Sequence, residues 1–251
     1  MDNKFRHGQF VWRELMTKDA TAAKEFYAAA LGWTSKDVPM PQGTYTLFSA
    51  GDLQVGGMMQ MDGQPSAWMS YASVADADAT MKAAEDGGGK VLMPAMSVPG
   101  VGRFGVFMDP TGGVVGVLRN ETTDGPTPER PPLGSFCWET LNTTNIDQAK
   151  AFYTKVFNWT PGSGPGNFLV FLAGEAQVCD VENAPPGMPS HWLLHVVVDK
   201  LESAREKAEK AGAKILMGEI PIPQIGRICV IADPTGAALS LFEPDMSGMS
   251  A

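Results

Sequence analysis

The sequence is poor in cysteine and in positive charge, and it has no long apolar run. Its three cysteines, Cys137, Cys179 and Cys229, are odd in number and lack metal-type spacing such as C-x-x-C. This usage predicts free, buried thiols in a reducing cytoplasm. With 19 Lys and Arg against 28 Asp and Glu, the net charge is −9. Such a balance argues against a nucleic-acid partner, because a phosphate backbone requires a basic surface.

Membrane insertion and export are also disfavoured. No apolar run approaches the ~20 residues that a membrane-spanning helix needs. The first ten residues, MDNKFRHGQF, are charged and lack the apolar core of a signal peptide. We therefore expect a cytoplasmic protein with no membrane partner. A length of 251 residues with 44% hydrophobic content is enough for a sizeable core, in one large or two ordinary domains.

The chain contains an internal duplication. The segment GQFVWRELMTKDATAAKEFYAAALGW, which starts at residue 8, matches GSFCWETLNTTNIDQAKAFYTKVFNW, which starts at residue 134. Further on, Gly102-Arg103 and the turn Asp109-Pro-Thr-Gly112 return as Gly226-Arg227 and Asp233-Pro-Thr-Gly236. Because order and spacing are kept over such a length, we interpret the two halves as copies of one ancestral unit.

Each copy divides again into two modules of one strand, one helix and three further strands. Apolar residues at helical spacing predict helices at about 19–31, 76–86, 146–157 and 201–210, and strands occupy most of the remainder. Modules of this kind bury the helix against one face of a curved sheet and leave the other face open as a cup. The predicted fold class is α+β, with four βαβββ modules.

Two motifs identify a family. Phe-Tyr follows the first strand of modules one and three, and Asp-Pro-Thr-Gly precedes the last strand of modules two and four. This arrangement resembles the vicinal oxygen chelate superfamily, which includes glyoxalase I, bleomycin-resistance proteins and extradiol dioxygenases. The resemblance implies two tandem glyoxalase-like domains with curved mixed sheets, at 1–120 and 134–251, joined by a linker at 121–133. It further implies a monomer that mimics the family's homodimers, with further dimerisation left open.

The resemblance also implies a divalent metal held by three ligands from the first and last strands. The corresponding positions are Trp12, Met69 and Gly116 in the first copy, and Trp138, Leu193 and Ser240 in the second. None of these six side chains is a good ligand for a divalent cation. We therefore expect no cofactor, and a divalent metal is the disfavoured alternative.

Polar residues lie two positions further along the same strands and share the cup-facing side. Glu14 and His195 are expected to share one cup, and Thr140 and Tyr71 the other. Glu14 could act as a general base or form a metal pair with His195; alternatively, it is a ligand-contacting or ion-paired carboxylate, and His195 is a core histidine. The predicted ligand-binding residues are Trp12, Glu14, Met69, Tyr71, Trp138, Thr140, Leu193, His195, Ser240 and Phe242.

Several other charged residues have simpler interpretations. Arg103 and Arg227 follow Pro-rich segments and either contact an anionic ligand or neutralise a nearby carboxylate. Asp109 and Asp233 occupy the first position of their turns, where Asp bonds the local backbone, so we predict structural roles. Glu243 faces away from Ser240 by strand parity and is discounted as a ligand.

Two functions remain open from the sequence. The first is a binding protein that has lost the family's metal ligands and holds a small apolar or aromatic molecule in its sheet cavities. The second is a diverged glyoxalase-type lyase or isomerase, or another small-molecule enzyme, that uses Glu14, Tyr71 or His195. Whether the chain is an enzyme is left open.

Overall fold

Four modules, each made of a strand, a helix and three further strands, follow one another along the chain. The computed structural model describes residues 4–40, 43–125, 128, 130–164 and 167–245. Its helices are α1 (Ala20–Leu31), α2 (Ala77–Asp86), α3 (Ile146–Phe157) and α4 (Leu201–Lys210). The strands of the first two modules are β1 (Phe10–Thr17), β2 (Thr34–Met40), β3 (Gly43–Ala50), β4 (Leu53–Gln60), β5 (Ala67–Ser73), β6 (Lys90–Val98), β7 (Gly102–Met108) and β8 (Val114–Asn120). Those of the last two are β9 (Phe136–Thr143), β10 (Thr160–Ser163), β11 (Leu169–Ala173), β12 (Ala176–Asn183), β13 (His191–Val197), β14 (Lys214–Ile222), β15 (Gly226–Ala232) and β16 (Ala238–Pro244).

The strands form two mixed sheets of eight. The first sheet has the order β2-β3-β4-β1-β5-β8-β7-β6, and the second has the order β10-β11-β12-β9-β13-β16-β15-β14. In each sheet the first strand of a module pairs in parallel with the last strand of the same module. The last three strands of each module pair with one another in antiparallel fashion. The predicted α+β fold of four βαβββ modules is therefore confirmed.

The helix starts follow from their capping residues. Asp19, Asp76 and Asn145 each precede a helix in an extended conformation, and each side chain accepts the backbone N–H three residues later. Before α4 stands Lys200, which makes no such bond. There a carboxylate from β16, that of Glu243, accepts the backbone N–H of Leu201 at 2.6 Å and replaces the local cap.

The chain packs into two compact units, each built from two modules. The first unit contains Met1–Trp12, Met69–Thr127 and Glu139–Trp192, and thus most of modules two and three. The second contains Arg13–Trp68, Pro128–Trp138 and Leu193–Ala251, and thus most of modules one and four. The boundaries predicted for the domains, at 1–120 and 134–251, stay a prediction. In the predicted linker, residues 126, 127 and 129 lie outside the described residues.

An aromatic cluster forms the core of each unit. In the first unit the buried ring of Tyr153 contacts Trp159, Phe171 and Trp192, with ring centroids 5.3–6.0 Å apart within the cluster. In the second unit Tyr27 makes the corresponding contacts, with centroid distances from 5.1 Å to 5.6 Å to its three strand-side neighbours. Each fully buried ring of this size contributes roughly 1.5–3 kcal/mol.

The two repeated motifs bind each other at these cores. In the first unit the Tyr153 hydroxyl donates to Asp109 Oδ2 at 2.7 Å. The other oxygen of Asp109 accepts three backbone N–H groups of its own turn. In the second unit the Tyr27 hydroxyl donates to Asp233 Oδ2 at 2.9 Å, and Trp68 Nε1 donates to that hydroxyl at 2.7 Å. The structural roles predicted for both aspartates are confirmed.

The cysteines are free thiols, as predicted. Cys179 and Cys229 are buried and Cys137 is half-buried. Burial, with a smaller effect of the neighbouring carboxylate charges of Asp180 and Glu139, raises the pKa of Cys179 well above its usual value. Among the residues that the structure describes, no helix has the length and apolar character needed to cross a membrane.

Candidate functional site

The ten predicted site residues lie on the first strand of each module and on the last strand of the fourth. Trp12, Trp138 and Phe242 are half-buried, and the other seven are buried. Trp12, Met69, Tyr71 and Thr140 belong to the first unit; Glu14, Trp138, Leu193, His195, Ser240 and Phe242 belong to the second.

The two pairs of residues that were expected to share cups each fall within one compact unit, Glu14 and His195 in the second and Thr140 and Tyr71 in the first. Whether each pair shares a cup stays a prediction. Glu14 lies on β1 of the first sheet, whereas His195 lies on β13 of the second. Thr140 and Tyr71 are likewise on different sheets. Each pair therefore joins strands of two different sheets within one compact unit.

In the second unit, Glu14 faces a glycine. Its Cα partner on the neighbouring strand is Gly57, and the Cα partner of Gly57 on β3 is Leu47. A side chain at position 57 would collide with the hydroxyl of Tyr45, so that hydroxyl lies directly over the glycine. Sequence reasoning missed Tyr45, because its position depends on a strand register that the sequence does not state.

In the first unit, Thr140 is the residue equivalent to Glu14, and it is hydrogen-bonded to a carboxylate. Thr140 Oγ1 donates to Asp180 Oδ1 at 2.7 Å, and the two residues are Cα partners on β9 and β12. Two residues along β12, Glu182 shares the same face. Burial first and the charge of Asp180 second raise the pKa of Glu182. Both carboxylates were absent from the predicted site, and alternation along β12 could have suggested them.

Tyr71 fills the space beside Gly116, also within the first unit. The two are Cα partners on β5 and β8, and a Cβ at position 116 would collide with the Tyr71 ring. The same ring packs edge-on against Phe104, with centroids 6.1 Å apart. The position where the family resemblance implies a metal-binding carboxylate is therefore covered by an aromatic ring.

His195 and Ser240 are neighbours in the second unit. They are Cα partners on β13 and β16, with 5% and 0% of their surfaces exposed. Burial lowers the pKa of His195 to about 4. The imidazole is therefore neutral near pH 7 and offers one hydrogen-bond donor and one acceptor.

The two arginines that follow the Pro-rich segments, Arg103 and Arg227, form ion pairs with carboxylates. Arg103 binds Asp78 through Nε and a terminal nitrogen, both at 2.6 Å. Arg227 binds Glu202, and it also binds Glu243 at 2.8 Å. The sequence left open whether these arginines contact an anionic ligand or neutralise a nearby carboxylate, and the structure shows that both bind carboxylates. Glu243 also contacts the start of α4, which agrees with its predicted position facing away from Ser240.

Comparison with known proteins supplies the family. The model of the Glyoxalase/Bleomycin resistance protein/Dioxygenase superfamily matches residues 136–241, and the model of the Bleomycin resistance protein-like N-terminal region matches residues 9–51. A Mycobacterium tuberculosis protein named "Putative glyoxylase CFP32" is 34% identical over 254 residues, which cover 96% of this chain and 97% of that protein. The chain belongs to the glyoxalase/bleomycin resistance/dioxygenase superfamily. The resemblance found in the sequence is thereby confirmed.

Two further proteins resemble the chain over most of its length. The anthracycline biosynthesis protein DnrV of Streptomyces peucetius is 29% identical, over 96% of this chain and 94% of that protein. The crystal structure of the Mn(II)-bound glyoxalase from Novosphingobium aromaticivorans superimposes with a TM-score of 0.64 at 19% identity, covering 95% of this chain and 83% of that one. The structural likeness shows a shared fold.

The strand positions that the superfamily resemblance implies for a metal carry few donor atoms. Within the described ranges, no group of three or more His, Cys, Asp or Glu side chains is placed to hold a metal ion. At the two positions where a carboxylate would be expected stand Gly116, beneath the Tyr71 ring, and Ser240, a fully buried hydroxyl. These residues do not fit a three-ligand divalent site.

Two cavities lie beside the helices. One, of about 520 Å³, belongs to the first unit and is lined by His7, Asp76 and Lys155 among others. The second, of about 390 Å³, belongs to the second unit and is lined mainly by Ala30, Lys200 and their neighbours. Neither includes any of the ten predicted site residues, so those residues stay a prediction.

Proposed function

We propose that this superfamily member is a small-molecule binding protein that has lost the usual metal ligands. The observation that carries the proposal is the Tyr71 ring packed over Gly116, at a position where the superfamily's metal chemistry requires a carboxylate. In the second copy Ser240 supports the same conclusion, because a fully buried hydroxyl stands where the superfamily's carboxylate is expected.

The proposed ligand is apolar or aromatic. Trp12, Trp138 and Phe242 are only half-buried, and Met69 and Leu193 occupy on β5 and β13 the positions that the two tryptophans occupy on β1 and β9. Half-buried aromatic rings bind flat molecules by stacking, and a few polar groups then fix their orientation. The relative named for anthracycline biosynthesis makes a planar polycyclic compound the first ligand to test. The proposed form is a cytoplasmic monomer without nucleic-acid or membrane partners.

A metal-dependence experiment tests the proposal. Purified protein is titrated with the fluorescent anthracycline daunomycin, with EDTA and with added Mn(II), and its melting temperature is recorded. We expect saturable binding with the same Kd in all conditions, and a rise in stability of about 2.7 kcal/mol at 100 times Kd. Stoichiometric metal in the purified protein, whose removal abolishes binding or turnover and whose return restores it, would contradict the proposal.

The second candidate function is a diverged glyoxalase-type lyase or isomerase. It is favoured by the buried carboxyl group of Glu14 and by the glyoxalase name of the mycobacterial relative. A buried carboxyl group beside a bound substrate can act as a general base. The test is turnover of the hemithioacetal of methylglyoxal and glutathione. Glu14→Gln should abolish turnover and leave the folded structure intact, and unchanged turnover would eliminate this version.

A further inference from the structure

One face of the first module carries a polar pair on an apolar surface. Alternate residues of β3, Thr46 and Phe48, are buried toward the helix, and Phe48 contacts the ring of Tyr27 on α1. Tyr45 and Leu47 therefore point to the opposite face of the sheet, where both are half-buried. Because Leu47, Gly57 and Glu14 are Cα partners in turn, these three residues form a row across that face.

A second row follows along the same strands. Tyr45 on β3 is the Cα partner of Met59 on β4, and Met59 is the Cα partner of Met16 on β1. The Tyr45 side chain leans from this row over Gly57, where its hydroxyl occupies the volume of the missing side chain. Glycine inside a strand marks a place where another group must approach the backbone closely. Here the approaching group is a phenol, and it arrives beside the strand position of Glu14.

The second copy of the sequence shows that this arrangement is specific to the first. The equivalent residues are Phe168 for Tyr45, Asp180 for Gly57 and Thr140 for Glu14. There the hydroxyl of Thr140 donates directly to Asp180, so the carboxylate and the hydroxyl bind each other. In the first copy the carboxyl group, that of Glu14, is on β1, and the hydroxyl group, that of Tyr45, is on β3. Gly57 lies on β4, the strand between them.

We propose that Tyr45 and Glu14 form the polar end of the ligand site on the first module, and that they bind a phenolic hydroxyl of a flat, uncharged aromatic molecule. The inference rests on the proposed function and names its ligand class. The Glu14 carboxyl group accepts the ligand hydroxyl, and the Tyr45 hydroxyl donates to its oxygen. Met16 and Met59 supply an adaptable apolar surface for the ring. The net charge of −9 disfavours an anionic ligand.

A matched pair of probes isolates this contact. Binding of 1,5-dihydroxynaphthalene and 1,5-dimethoxynaphthalene is measured by fluorescence titration, because the two share a ring system and differ in the phenolic hydroxyl. We expect the unaltered protein to prefer the dihydroxy compound by about tenfold, as for one good hydrogen bond in a buried site. Tyr45→Phe and Glu14→Gln should each reduce the preference to about twofold or less. Gly57→Ala should do the same, because its methyl group displaces the Tyr45 hydroxyl.

The control is Tyr27→Phe, which removes the same atom from a core tyrosine. It should lower the melting temperature and leave the probe preference unchanged, which separates loss of a ligand contact from loss of stability. If the unaltered protein binds both probes and the three site variants keep its preference, the inference is wrong and the proposed function stands. If the unaltered protein binds neither probe nor the anthracycline, the proposed function fails and the inference fails with it.

Discussion

Acidification should destabilise the protein through His195. Burial lowers the pKa of this imidazole to about 4, whereas in an unfolded chain it is about 6.5. Below pH 6.5 the unfolded chain therefore binds a proton that the folded protein does not. The stability due to neutral His195 is present above pH 6.5 and is lost as the pH falls toward 4.

The magnitude follows from the size of the shift. Each pH unit between the two pKa values is worth about 1.4 kcal/mol, so the whole window amounts to about 3 kcal/mol. Between pH 7 and pH 5, we expect a loss of about 2 kcal/mol from this residue alone. The loss is a sizeable fraction of the ordinary 5–15 kcal/mol of a folded domain.

Urea unfolding of the unaltered protein and of His195→Gln, followed by tryptophan fluorescence at pH 7, 6 and 5, measures this contribution. The substitution itself changes the free energy of unfolding at every pH. For each protein we therefore take the decrease in this free energy from pH 7 to pH 5, and we compare the two decreases. His7, His191 and the surface carboxylates are present in both and cancel. Equal losses in the two proteins, or an NMR titration of His195 near pH 6.5, would refute the reasoning.

Three further perturbations have defined outcomes. Tyr153→Phe removes the tyrosine hydroxyl that donates to Oδ2 of the buried Asp109 carboxylate and should cost about 1–3 kcal/mol in urea unfolding; a cost below the error of the measurement would contradict the role of this bond. Gly116→Glu restores the expected metal carboxylate but places it against the Tyr71 ring, so we expect lower stability and no Mn(II) binding by electron paramagnetic resonance; tight Mn(II) binding would contradict it. Arg103→Ala should change the free energy of unfolding by less than ~1 kcal/mol, because its ion pair is exposed, and a larger loss would show an unrecognised role.

The sequence was sufficient for the fold because the relevant signals are local and occur twice. Helical spacing of apolar residues and capping residues such as Asp19 and Asn145 determine where the helices lie. Because the sequence is duplicated, each helix and strand could be predicted twice from two different segments. The aspartates that begin the Asp-Pro-Thr-Gly turns were also interpretable from sequence, since most of their hydrogen bonds lie within the turn.

The contacts between modules could not be predicted in the same way. Nothing in the sequence indicates that the Tyr of the Phe-Tyr motif binds the Asp of a turn in another module, because that choice depends on how modules pack. Glu14 and His195 belong to the same compact unit, and their predicted association in one cup stays a prediction. Tyr45 was not predicted as a site residue, because only the register of β3 against β4 places its hydroxyl over Gly57. The ten proposed ligand-binding residues await the binding experiments above.

The two tyrosine–aspartate bonds also carry a consequence for the order of folding. The bond of Tyr153 to Asp109 joins residues 44 apart, whereas that of Tyr27 to Asp233 joins residues 206 apart. All segments of the first unit have been synthesised once residue 192 is made, but the second unit needs strands up to β16. Closing the longer loop also costs about 1 kcal/mol more chain entropy. In pulse-labelled hydrogen exchange during refolding, amides of α3 should gain protection before those of α1, and the reverse order would disprove this sequence of events. Of the four modules, the first is then made earliest and is among the last to reach its final partners.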